Sequence, residues 1–78
     1  MIDPPIISFD WEAFGRDVRA TLAERMMTTR MVGQAISVGH ATVCRATQDR
    51  PVTVETMYSL CDWMGVDAAA YCRSRTNK

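Results

Sequence analysis

TTRMVGQAISVGHATVCRATQDR, residues 28–50, holds two short helical segments on either side of a tight interruption. Thr28 and Thr29 are good N-cap residues, whose side-chain oxygen accepts the backbone donors that a first helical turn leaves orphaned. Met31, Val32, Ala35 and Ile36 follow at helical spacing. Ser37-Val38-Gly39 then interrupts, and Gly39 reads as the break, since glycine takes backbone angles that other residues avoid. A second segment starts at His40 or Ala41 and runs through Val43, Ala46 and Thr47. Asp49-Arg50-Pro51 closes it, because proline lacks an amide donor and disfavours helix in the residue before it. Two short helices joined this tightly are the pattern of a helix-turn-helix.

The flanks supply helices for this pair to pack on. Asp10 can cap a helix in which Trp11, Phe14, Val18, Leu22 and Met26 form one apolar stripe, ending near Met27. Thr53 caps another, with Thr56 where a full capping box has Glu or Gln, and with Val54, Met57, Leu60, Cys61 and Met64 as its core face. Gly65 suits a left-handed helix end, and Asp67 then caps a last short helix holding Ala68 to Tyr71. No segment reads as a strand. The expectation is an all-α fold, a small five-helix bundle. Residues 1–9 are expected as a loosely ordered arm with two prolines, 10–72 as the domain, and 73–78 as a polar basic tail. Met26, Met27, Met31, Met57 and Met64 read as core filler. Trp63 packs against Tyr71 or sits in a dimer contact, and Tyr58 is open to either role.

Within the pair, the second helix is poor in bulky apolar residues. It offers His40, Ala41, Thr42, Cys44, Arg45 and Gln48 outward, while Val38, Val43 and Ala46 point inward. Small and polar side chains are what a helix needs to approach base edges in the major groove. Gly33 is a poor choice for a helix interior unless another backbone crosses close to it. The 78 residues carry zero formal net charge, which does not favour DNA binding, but the charge is unevenly spread. Residues 28–50 hold Arg30, Arg45 and Arg50 against Asp49 alone; the acidic excess lies before residue 28.

The segment TTRMVGQAISVGHATVCRATQDRPVTVETMYSLCDWMGVDAAAY resembles the Cro/cI (Xre) type of helix-turn-helix regulator, in particular short phage and bacterial forms in which an "LCxWxGV" helix follows the motif. The likeness runs from about Trp11 to Tyr71, with matching apolar marks at Val32, Ile36, Val38, Val43, Leu60, Met64 and Val66. The family's small residue in the first motif helix is Gly33 here, its turn glycine falls at Ser37, and its acidic residue after the reading helix is Thr47. The resemblance implies a lambda-repressor-like DNA-binding fold. It implies that Thr28, Thr29 and Arg30, with Arg50, hold phosphates, and that His40, Ala41 and Thr42, with Arg45 and Gln48 a turn further on, read bases. Arg45 suits either a guanine edge or a phosphate, and His40 either a DNA contact or a helix cap. A sequence-specific double-stranded DNA-binding regulator follows, a Cro-like or immunity-type repressor that occludes promoters. Such regulators are frequently homodimers, here through the segment from Val66 onward. An antitoxin-like or adaptor interaction module on the same fold is the alternative.

Other classes find little to build on. One histidine, no glycine-rich phosphate loop and no nucleophile–base pairing argue against an enzyme. Cys44, Cys61 and Cys72 lack CxxC spacing, so free thiols are expected, with no metal and no cofactor. An oxidation switch at Cys44 has only nearby arginine in its favour. No apolar run approaches the ~20 residues of a membrane span, and the Asp3-Pro4-Pro5 start is unlike a signal peptide. A cytoplasmic protein is expected.

Overall fold

The computed structural model describes residues 7–74. Four α-helices follow one another: α1 (Trp11–Arg25), α2 (Thr29–Ile36), α3 (His40–Thr47) and α4 (Val54–Met64). Each expected cap is in place where a side chain supplies it. Asp10 accepts from the Ala13 amide at 3.0 Å, Thr28 from Met31 at 3.1 Å, and Thr53 from Thr56 at 3.3 Å. Gly65 ends α4 in the left-handed region, φ 77°.

The expected fifth helix is a single 3-10 turn, Ala68–Tyr71, so the α-helix count among the described residues is four. Asp67 caps it through the Ala69 amide at 3.1 Å, but only four residues separate that cap from Cys72, where the chain turns extended. That length cannot propagate an α-helical ladder, whose first bonded turn is the costly one.

The expectation of no strand is also corrected. Ile7–Phe9 (β1) pairs antiparallel with Cys72–Ser74 (β2), with Phe9 opposite Cys72 and Ile7 opposite Ser74. The Asp10 amide donates to the Tyr71 carbonyl at 2.7 Å, carrying the pairing up to the start of α1. Three residues of the expected arm and two of the expected tail therefore belong to a small sheet. The rest of that arm (1–6) and tail (75–78) lies outside the described residues.

Phe14, Val18, Val32, Val43 and Leu60 are fully buried and bring α1, α2, α3 and α4 to one core. Full burial of one such side chain is worth ~1.5–3 kcal/mol, against ~1 kcal/mol for a cap, so the core rather than the caps holds the helices together. Three apolar assignments need revising. Met26 is 87% exposed, because α1 stops at Arg25 and Met26 turns left-handed at φ 54°; Met27 packs in its stead. Val54, the first residue of α4, is exposed, and Thr56 is buried on that helix. Met31 is exposed too, whereas Met57 and Met64 are core residues as expected.

An aromatic cluster closes the end of the molecule where β1 meets β2. Phe9 lies 4.3 Å from Trp11, 5.3 Å from Phe14 and 5.6 Å from Tyr71, ring centre to ring centre. The buried Tyr71 donates its hydroxyl to Asp17 on α1 at 2.6 Å. Its ring partners are Phe9 and Phe14 rather than Trp63. Trp63 stacks instead under the Arg25 guanidinium, 5.0 Å from the ring centre, and its carbonyl accepts from Arg25 at 2.8 Å. Among the described residues no helix is long and apolar enough to cross a membrane.

Burial first, and then the bond to Asp17, raise the Tyr71 phenol well above its ordinary value. The folded chain therefore holds this proton more tightly than the unfolded chain. The stability it contributes is complete below about pH 10 and is lost as pH rises from there toward the folded value. Tyr71→Phe should cost stability at pH 7 at the lower end of the ~1.5–3 kcal/mol typical of a bond to a charged group. It should also flatten the alkaline decline. Urea midpoints measured from pH 7 to 11 check both; parallel curves for the two proteins would contradict the assignment.

Candidate nucleic-acid interface

The turn between α2 and α3 is built differently from its sequence reading. Gly39 has ordinary extended angles (φ −62°, ψ 141°) and open space around it, and serves as the N-cap of α3. The left-handed residue is Ser37, φ 60°, which ends α2. The Val38 amide reaches back to the Gly33 carbonyl at 2.7 Å and Ser37 to Gln34 at 3.4 Å, the double closure that satisfies orphan carbonyls at a helix end. The strained position is thus the one where the resembled family carries its turn glycine.

Two glycines fix where α3 lies. A side chain on Gly33 would place its Cβ 2.5 Å from the Val38 carbonyl oxygen and 3.4 Å from the His40 Cα, so α2 and the start of α3 touch backbone to backbone. A side chain on Gly15 of α1 would meet the Asp49 carboxylate and stand 2.6 Å from the Ala46 carbonyl oxygen at the far end of α3. The first crossing is the one expected from Gly33 inside α2; the second, at Gly15, was not expected. A glycine inside a long amphipathic helix was the available signal.

Val43 and Ala46 point into the core and Val38 is half-buried. His40, Ala41, Arg45 and Gln48 are exposed, while Thr42 and Cys44 are half-buried. Ala41, Arg45 and Gln48 follow the i, i+4, i+7 spacing of one helix face. His40 is the first residue of α3; the cap itself is Gly39, which leaves the histidine ring without that task. Thr28, Arg30 and Arg50 are exposed and Thr29 is half-buried. The Cys44 thiol donates to the Thr29 hydroxyl at 3.5 Å, joining the start of α2 to the middle of α3.

A residue that sequence reading overlooked stands behind this surface. Arg19 of α1 donates from Nη1 to the Thr47 carbonyl at 2.6 Å and to Asp49 Oδ1 at 2.9 Å. The acidic residue of the segment is therefore paired, whereas Arg30, Arg45 and Arg50 have no ion-pair partner among the described residues. The local surplus of positive charge stays available to an outside anion.

No model of a known protein family matches the chain, and no curated protein matches it. Among solved structures, the crystal structure of the transcriptional regulator VanUg, form II, matches with a TM-score of 0.56 at 13% identity, over 97% of this chain and 93% of that one. At that identity the likeness is one of fold.

Gly33→Ala should lower stability, because a clash with backbone costs ~1–3 kcal/mol and outweighs the ~1 kcal/mol that alanine gains in helix propensity. Ser37→Gly should raise it by about 1 kcal/mol, the cost of holding a side-chain residue left-handed. Denaturation midpoints of the two variants should move in opposite directions. A stabilised Gly33→Ala protein would show that the helices do not touch there.

Proposed function

We propose that this chain, which shares the fold of a solved transcriptional regulator, is itself a sequence-specific double-stranded DNA-binding regulator of the Cro/cI type. The observation that carries the reading is the outer face of α3: small and polar residues surround Arg45, an arginine with no ion-pair partner among the described residues. An arginine presented that way suits the two acceptors on a guanine edge, a contact worth ~1–3 kcal/mol of discrimination. His40, Ala41, Thr42 and Gln48 would share base reading, and Thr28, Thr29, Arg30 and Arg50 would hold phosphates. The action is repression by occupying promoter DNA. No chemical step is required, so the protein is read as a binding protein and not an enzyme.

Two copies on a two-fold site fit the reading, since the three arginines of residues 28–50 in one copy give little electrostatic affinity. The surface first expected to join them is reduced here. Ala68 and Tyr71 are buried within the chain and Cys72–Ser74 is paired, which leaves Val66, Ala69 and Ala70 exposed for a partner copy. The zero net charge favours a second reading, an antitoxin-like or adaptor module. Salt separates the two, because neutralised phosphates make affinity fall steeply with ionic strength.

Selection of bound duplexes from a random library should return a defined sequence, palindromic if two copies bind. Arg45→Ala should weaken the selected duplex far more than random duplex, whereas Arg30→Ala should weaken both and flatten the salt dependence. Equal losses for Arg45→Ala would reassign it to phosphate. No retention of any duplex at low salt would sink the DNA reading.

A further inference from the structure

The last turn of α3 leaves four carbonyls without partners inside the helix, as every helix end does. Three are served by the chain that follows. Cys44 O accepts from the Gln48 amide at 3.1 Å, Arg45 O from Gln48 and Arg50 at 3.0 Å each, and Ala46 O from Asp49 at 3.2 Å. The fourth, Thr47 O, is served by Arg19 of α1, twenty-eight residues earlier, and the same Nη1 also holds Asp49. Asp49 is held in a left-handed conformation, φ 62°, directly over Gly15. The negative pole of the α3 dipole and the Asp49 carboxylate thus gather at one spot, and among the described residues the one cation bonded there comes from another helix.

This arrangement has two separable effects. Mechanically, the end of α3 that carries Arg45 and Gln48 is tied to α1, while its start is fixed by the crossing at Gly33. Electrostatically, the only acidic side chain of residues 28–50 is masked beside the face offered to DNA. Both partners are about half exposed, which screens the ion pair itself and makes it a weak stabiliser. Its geometry matters more than its energy, because a base contact depends on the angle at which the helix enters the groove.

We propose that Arg19 is a positioning residue for base reading: by bridging Thr47 O and Asp49 it sets the approach of the Arg45–Gln48 end of α3, without itself touching a base. The proposal rests on the DNA-binding reading above for its consequence, but the tie can be tested in the free protein. Arg19→Met keeps an apolar stem and removes the donors. With circular dichroism unchanged, backbone amide exchange should speed up at Gln48, Asp49 and Arg50 and stay the same at Val32 and Val38. Affinity for the library-selected duplex should then fall at least about fivefold more than affinity for random duplex, the scale of one misaligned base contact. Asp49→Asn, which keeps an accepting oxygen and removes the charge, should strengthen random-duplex binding and leave the selected-to-random ratio unchanged.

Unchanged exchange at residues 48–50 in Arg19→Met overturns the tie, whether or not DNA is bound. Faster exchange with an unchanged ratio overturns its role in reading. If the wild-type chain retains no duplex, the DNA reading fails while the exchange result still decides the tie. If Arg19→Met does not fold, Asp49→Gly removes the other half of the bridge, suits the positive φ, and is judged by the same two measurements.

Discussion

Backbone meeting backbone at Gly33 is the constraint on which the rest of the molecule depends. Without a Cβ there, α2 lets the Val38 carbonyl and the first residue of α3 come into contact, and the turn between them can be three residues long. Once α3 starts at that place its inner face is settled: Val43 and Ala46 enter the core shared with Val32, Phe14 and Leu60. Gly15 repeats the arrangement at the other end, where α1 passes under the Ala46 carbonyl and Asp49. A helix held by close approach at both ends cannot tilt or slide without clashing, because packed interiors deform little. Its outer face is therefore a fixed surface, which is the requirement for any residue on it to recognise a rigid partner.

The stability of this surface comes from elsewhere. Phe14, Val18, Val32 and Leu60 are fully buried behind α3, and the aromatic group formed by Phe9, Trp11, Phe14 and Tyr71 seals the far end. Exposed positions on α3 are free of structural duty by comparison, whereas the half-buried Cys44 is bonded to Thr29. That division lets the outer residues be chosen for chemistry while the inner ones are chosen for packing.

The helices were legible in the sequence because their signals are local. Asp10, Thr28, Thr53 and Asp67 cap their own first turns, and the apolar spacing of α1 and α4 follows a single helical period. What was not legible depends on partners far along the chain. Phe9 read as part of a loose arm since its strand exists only by pairing with Cys72, sixty-three residues later. Arg19 carries no local signal of its role, since Thr47 and Asp49 reach it only after α3 has docked. Gly39 was mistaken for the strained residue because composition favours glycine there, whereas the ladder of hydrogen bonds puts the strain on Ser37. Of the candidate interface, the exposure of Arg45 and Gln48 followed from helical spacing, but the masking of Asp49 did not.

The small sheet also imposes an order on assembly. β1 precedes all four helices in the chain and cannot find its only described partner until residues 72–74 have been made. During synthesis the helix-turn-helix pair can form early from neighbouring residues, while the aromatic end stays open and Phe9, Trp11 and Phe14 lack Tyr71. Contacts this distant in sequence are slow to form, and apolar surface exposed in the meantime invites association with other chains. Residues 72–74 are thus the ones that shut the fold, and a growing chain is vulnerable until they have been made.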